Sequence, residues 1–236
     1  MSLEKLPFLN VGCGRRFHPH WVNLDFGSTG PEVLVHDVLR GLPFADKSLK
    51  VVYHSHLIEH LPFDEGLKFM CECCRVLQPG GVLRVATPDL EVLAKVYLQK
   101  IGEIENGVAL AEYDHQWVLL ELFDQISREV SGGKMGSFLS CKDLPNREFV
   151  RSRIGHEVEA FWGASANSGL KWKPRAKLKK LGLISMLRKV RSFFGETLVN
   201  IFFGAKEREA LRLGSFRKSG EIHHLLYDRI SLGRLF

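Results

Sequence analysis

The chain has 236 residues, 45% hydrophobic and 25% charged, a balance that supports a sizeable core and excludes a low-complexity or disordered polypeptide. No window stays apolar long enough for a transmembrane helix. The net charge of +6 is local: nine lysines and arginines and no acid fall within residues 171–191, so the remainder is net acidic and nucleic acid is not an expected partner.

Phe8-Leu9-Asn10-Val11-Gly12 is an apolar run that stops in Gly12-Cys13-Gly14, the pattern of a buried strand followed by a tight turn. Trp21-Val22-Asn23-Leu24-Asp25 reads as a second strand ending in an acid. Only the ten residues from Arg15 to Leu24, broken by Pro19, precede that acid. They are too few for a full crossover helix plus a strand, so a turn or two of helix or a loop is expected there. Val33–Asp37 is a third strand, again ending in an acid, and Leu42–Asp46 is a turn into a fourth strand, Leu49–His54. A helix follows over Pro62–Leu77, with Asp64 and Glu65 in its first turn, where they suit the helix dipole. Gln78-Pro79-Gly80-Gly81 ends it. Val82–Ala86 is a fifth strand, and Thr87-Pro88-Asp89 caps a further helix reaching about Ile101.

Strands alternating with helices at this spacing predict an open α/β sheet of parallel strands. In such sheets ligands bind beyond the carboxyl ends of the strands. Gly12, Gly14, Asp25, Asp37, His54 and Ser55 all fall at those ends and are expected on one rim.

Taken in order, Leu9–Gly14, Asn23-Leu24-Asp25, His36-Asp37, Leu42-Pro43-Phe44 and Val51–Leu61 resemble the motifs of class I S-adenosylmethionine-dependent methyltransferases, of the small-molecule kind often called type 11. Arg75–Leu83 is similar to the same family's helix-turn-strand signature, and the resemblance covers about residues 8–93. It implies a Rossmann-like, mostly parallel sheet of strand order 3-2-1-4-5, with S-adenosyl-L-methionine as cofactor. Later stretches, Glu112-Tyr113-Asp114, Glu121–Gln125 and Gly220–His223 with Tyr227-Asp228, resemble a subgroup that often accompanies polysaccharide and glycosyl-transfer pathways. Members of the family normally add two strands after the fifth. None is evident in residues 94–236, so either the sheet has about five strands or the chain stops short of strands six and seven.

The resemblance also assigns positions. Gly12 and Gly14, with Cys13 between them, match the turn that lets the backbone approach the methionyl part of the cofactor. Asp25 matches the acid that accepts both ribose hydroxyls, Asp37 and Val38 match the adenine contacts, and His54 and Ser55 match the residues beneath the methionine and methyl group. Asn10 stands where the family often has an acid, and Arg15-Arg16 where a further glycine is common, which implies altered contacts at the methionine end. For each acid the competing role is a helix cap or a solvated loop end. A dinucleotide fingerprint is not met: Phe17 occupies the place of its third glycine, and Asp25 comes too early.

On the acceptor side, His54, His56 and His60 cluster after the fourth strand, and an imidazole there can take a proton from a hydroxyl as it is methylated. His60 can equally pack or cap. No Asn-Pro-Pro-Tyr or Asp-Pro-Pro-Tyr follows the fourth strand, which favours a hydroxyl over an amine. Residues Tyr113–Val130 form an amphipathic helix ahead of the flexible Ser131–Gly136 loop. It reads either as a lid, with Tyr113, Asp124, Gln125 and Arg128 toward substrate, or as a packing helix.

The expected organisation is a cofactor-binding core over 1–100, a helical insertion over 101–170 and a basic, apolar helical region over 171–236. The basic run followed by Phe193–Phe203 fits a membrane-surface element spanning 171–203, in competition with a solvated charged face, a polyanionic partner or a protein contact. Five cysteines, an odd number with three crowded at 71–74 and no secretory signal ahead of them, read as reduced and cytoplasmic. Their spacing does not suit a zinc clamp, and no metal is expected. The reading is therefore methyl transfer to a small molecule, a hydroxyl of a glycan or lipid-linked precursor. The alternative is a non-catalytic scaffold that keeps this fold and acts through its basic segment.

Overall fold

A computed structural model of the chain describes residues 7–141, 143–156, 158–159, 162, 202 and 204–236. The basic run 171–191 lies outside them, as does the apolar stretch 193–203 except for Phe202. The chain divides into two compact units, Met1–Lys95 with His223–Phe236, and Val96–Ile222.

The first unit is built on five parallel strands: β1 Phe8–Val11, β2 Val22–Asp25, β3 Val33–Val35, β4 Leu49–Ser55 and β5 Leu77–Ala86. Their order is β3-β2-β1-β4-β5, as expected. The connection from β1 to β2 holds no helix, only turns and bends. Buried Asn23 secures it from inside, its amide donating to the carbonyls of His18 and Trp21 at 2.9 Å each. Helix α1, Phe63–Val76, lays Phe69, Met70, Cys73 and Val76 against Leu9, Val11, Leu24 and Val52 of the sheet. Of the crowded cysteines only Cys73 is part of this core; Cys71 and Cys74 are exposed.

Strand β5 starts earlier than the glycine-rich run predicts. Gln78–Gly81 belong to it as a bulge, the ladder passing from Leu49↔Leu77 to Val51↔Val82. Gly80 takes φ +77°, and a Cβ at Gly81 would meet the carbonyl oxygens of Gln78 and Lys50, so glycine is required there. Arg75, at the end of α1, reaches the carbonyls of Leu42 and Phe44 at 2.9 Å each and the carboxylates of Glu72 and Asp46 at 2.7 Å each. This fixes the turn before β4. Among the described strands β5 pairs with β4 alone.

Asp89 caps α2, Leu90–Glu105, through the amides of Glu91 and Val92. The closing segment of the chain, expected to group with the basic region, instead returns to the first unit. Tyr227 bridges to Asp89 in parallel, and Tyr227 and Leu235 are buried in the core over α1.

The second unit contains α3 Ala111–Ser127, α4 Gly133–Leu139, α5 Arg147–Ile154 and α6 Ala205–Arg217; a short α7, Arg229–Gly233, closes the first unit. Trp117, Leu144, Val150, Val158 and Trp162 form the second unit's own core. Beside it, buried Lys100 ion-pairs with Asp114 at 2.9 Å, and Asn146 donates to the other oxygen of that carboxylate. No described helix is long and apolar enough to cross a membrane.

Candidate functional site at the carboxyl edge of the sheet

Because all five strands run the same way, the ends of β1, β2, β3 and β4 share one edge. Gly12 takes φ +67° and Gly14 +54°, conformations that favour glycine. A Cβ on Gly12 would come within 2.8 Å of Leu57 Cδ1, whereas one on Gly14 would meet nothing within 4 Å. The turn is therefore packed on one side and open on the other.

Its backbone amides are engaged within the fold. Those of Gly12 and Cys13 donate to the carbonyl of Leu24, and that of Gly14 donates to Asp25 Oδ2 at 2.8 Å. Asp25 Oδ1 accepts the amide of Gly27 at 3.1 Å. Each carboxylate oxygen has a second acceptor position, so Asp25 can still receive two hydroxyls. Phe26, next in the chain, is 75% exposed, an aromatic face at the edge that sequence reasoning passed over. Asn10 donates to the carbonyl of Arg16 and to Asn23 Oδ1. The Cys13 thiol is buried beside Asp25, and burial, then that charge, pushes it up to about 11.

Asp37 takes the capping role that competed with adenine binding: Oδ1 accepts the amide of Leu39 at 3.0 Å and so starts the helical turn Val38–Arg40. Its carboxyl group remains part-exposed, and Val38 packs on the core.

The three histidines separate. His54 was expected at the rim beneath the methyl group; the structure turns it inward. Alternation along β4 sends it to the same face as Val52, where it is fully buried edge-on against Phe69, ring centroids 5.1 Å apart. Burial pulls its imidazole down to about 4. Ser55, on the opposite face, is half-buried at the strand end. His56 follows at φ +51° with a largely exposed side chain, its Nδ1 3.2 Å from Glu59 Oε1. His60 ends the helical turn Ile58–His60 and meets the ring of His223 edge-on, centroids 4.6 Å apart.

Glu59 was missed as a site residue. It is fully buried, and its Oε2 accepts the Thr87 hydroxyl at 3.1 Å. Burial opposes its charge, but hydrogen bonds from His56 and the backbone and the nearby imidazoles outweigh it, so its pKa lies below the usual carboxylate value. The sequence shows Glu59 only as an acid next to His60; its burial beside His223 comes from the fold.

In the second unit, Asp124 and Arg128, which the lid reading turns toward substrate, bind each other. Asp124 Oδ2 accepts from Arg128 at 3.0 Å and Oδ1 from the amide of Lys134 at 2.6 Å. Arg128 also reaches Glu221 at 3.4 Å, and that carboxylate accepts the amide of Gly132 at 3.0 Å. Asp124 and Arg128 are both buried. The network pins the loop that sequence reading takes as flexible. Gln125 is half-buried and Tyr113 is exposed.

A shallow concavity of about 410 Å³ lined by Asp46, Lys47, Cys74, Arg75, Leu77, Gln78 and Pro79 lies where β4 and β5 begin. That is the opposite edge of the sheet from the glycine turn, and ligands of parallel sheets bind at the carboxyl edge.

Residues 20–85 match a family model described as a methyltransferase domain. A protein of Mycolicibacterium smegmatis (strain ATCC 700084 / mc(2)155) named as a probable S-adenosylmethionine-dependent methyltransferase is 48% identical over 54 residues, 23% of this chain. The chain spans 20% of that relative's length.

Proposed function

We propose that the α/β unit binds S-adenosylmethionine and transfers its methyl group to a small-molecule acceptor, a hydroxyl of a glycan or lipid-linked precursor. The observation that carries the reading is Asp25 beside the one-sided glycine turn, within a stretch similar to methyltransferase domains. The residues present fit the cofactor. The Asp25 carboxylate has acceptor positions for paired ribose hydroxyls, Phe26 offers an aromatic face for a base, and the open side of Gly14 leaves room for an approaching chain. Asp37 and Val38 take the adenine side; Asn10, Gly12, Cys13 and Ser55 take the methionine side.

When bound, this cofactor supplies an electrophilic methyl on a sulfonium. Held by Asp25 and the Gly12–Gly14 turn, it would give that methyl to the acceptor oxygen and leave as the neutral thioether. The protein's part is alignment and exclusion of water. The acceptor proton leaves through the exposed His56; buried His54 takes no part in that path. The subgroup likeness and the basic, apolar stretch 171–203 support a glycan or lipid-linked acceptor met at a membrane surface.

Calorimetry with S-adenosylmethionine and S-adenosylhomocysteine tests the reading. One micromolar site that Asp25→Ala removes is expected. No binding by the unmodified chain overturns it in favour of the scaffold alternative.

A further inference from the structure

We propose that Glu59, His60 and His223 form a binding site for one divalent transition-metal ion, of the class represented by zinc. One ligand atom from each lies within 4.8 Å of the other two. An ion at their centre would start at most about 2.8 Å from each atom, and bonds of ~2.0–2.2 Å to histidine nitrogen and carboxylate oxygen follow from sub-ångström side-chain shifts.

The burial of the cluster asks for a cation. Glu59 is fully buried and His223 is 3% exposed. Among the described residues no lysine or arginine forms an ion pair with Glu59; the groups around it include the imidazoles of His56, His60 and His223, the Thr87 hydroxyl and the Tyr227 phenol. A buried carboxylate is normally paired with a full positive charge or coordinates a metal. Tyr227 adds an independent sign: its hydroxyl is buried, lies close enough to feel the charge of Glu59, and has no hydrogen-bond partner.

The surroundings are those of a supported ligand set. His56 and Thr87 hold the two oxygens of Glu59 from outside the trio, as outer-shell partners orient a metal-binding carboxylate. The carbonyl of Glu59 accepts the amide of His224 at 2.7 Å, which carries His223 to the loop after β4 although more than 160 residues separate them in the chain. Two imidazoles and one carboxylate are the donors of open, three-ligand zinc sites, which leave a position for an oxygen ligand. That position takes a water or an acceptor hydroxyl, and this last step rests on the methyl-transfer reading; the metal assignment does not.

The test uses the full chain stripped with a chelator and dialysed. Cobalt(II) is titrated with its visible absorption as readout and zinc by calorimetry, on the wild type and on His60→Ala, His223→Ala and Glu59→Gln. We expect one equivalent per chain, a melting temperature raised by the ion, and affinity about 100-fold weaker in each variant, at or beyond the ~10–100-fold cost of losing an outer-shell partner. Equal binding by wild type and His223→Ala overturns the assignment, with the exposed thiols Cys71, Cys74 and Cys141 then holding the ion. No binding by the wild type overturns it as well. S-adenosylmethionine binding to the stripped chain is measured in parallel: cofactor bound without metal affinity removes the metal site alone, and the reverse result removes the methyltransferase reading alone.

Discussion

The carboxylate of Asp25 accepts the amide proton of Gly14 at 2.8 Å, so the acid that ends β2 also fixes the turn that ends β1. With its other oxygen on the amide of Gly27, one side chain orders both loops of the edge where the cofactor is proposed to bind. Replacing Asp25 therefore has two consequences, and they can be separated. Asp25→Asn keeps one acceptor oxygen for a backbone amide and is expected to lose only about 1 kcal/mol of stability. It removes the charge that favours paired hydroxyls, and S-adenosylmethionine affinity should drop more than tenfold by calorimetry. A variant that binds the cofactor normally removes Asp25 from the site.

The two glycines of the turn should respond differently. In Gly12→Ala the added methyl meets Leu57 Cδ1 at 2.8 Å and the backbone stays at φ +67°. Strain and crowding together should destabilise the chain by about 2–3 kcal/mol in urea unfolding. Gly14→Ala carries the conformational cost alone, about 1 kcal/mol. Its methyl points into the open side of the turn, so its main effect is expected on cofactor affinity. Equal stability losses in the two variants would contradict the one-sided packing of this turn.

The order β3-β2-β1-β4-β5 was legible because strand ends are marked by Gly12, Asp25 and Asp37 at regular intervals, and because glycines and prolines punctuate the helices. That no full crossover helix joins β1 to β2 could also be read, from the ten residues between Gly14 and Asp25 and from Pro19; the choice between a turn or two of helix and a loop could not. What could not be read was direction. Whether His54 points to the rim or the core depends on the phase of a strand whose burial is set by α1, and sequence motifs do not state that phase. The roles of Glu59 and His223 were hidden for another reason: they meet through the return of the chain's last residues to the first unit, a contact between distant parts of the sequence. For Asp124 and Arg128 the sequence left open whether their helix is a lid or a packing helix. Charged residues on an amphipathic helix suggest an exposed face, yet these two satisfy each other in the interior.

His54 gives the fold a pH dependence. Above pH 6.5 its ring is neutral in both folded and unfolded chains. Between about 6.5 and 4 the unfolded chain takes up a proton that the buried ring refuses, so stability falls as pH drops, by about 1.4 kcal/mol per unit. Below about 4 the folded ring is protonated too and the loss levels off. His54→Leu removes this titration. Urea midpoints at pH 7, 6 and 5 should show wild type losing ground to His54→Leu as pH falls. Parallel curves would show that the folded ring takes up its proton as readily as the unfolded one, so that burial does not hold it neutral.

For Asp124 and Arg128 the expected phenotype is structural. Each is buried, and the pair holds the amide of Lys134 and, through Glu221, that of Gly132. Removing Arg128 leaves the Asp124 charge buried without its counter-ion, which costs about 3–5 kcal/mol, and removing Asp124 leaves Arg128 only the longer contact to Glu221, at a somewhat smaller cost. Asp124→Ala and Arg128→Ala should therefore each lower the melting temperature sharply and expose the loop at 130–134 to proteolysis. Replacing both, as Asp124→Leu with Arg128→Met, removes the charges together and should recover most of the loss, because a buried ion pair contributes little net stability against apolar residues of similar volume. If the single variants are as stable as wild type but raise the acceptor KM, the pair serves substrate binding and its ion pair opens in solution. If the double variant is no better than the singles, the loop depends on the specific hydrogen bonds to Lys134 and Gly132 rather than on charge balance.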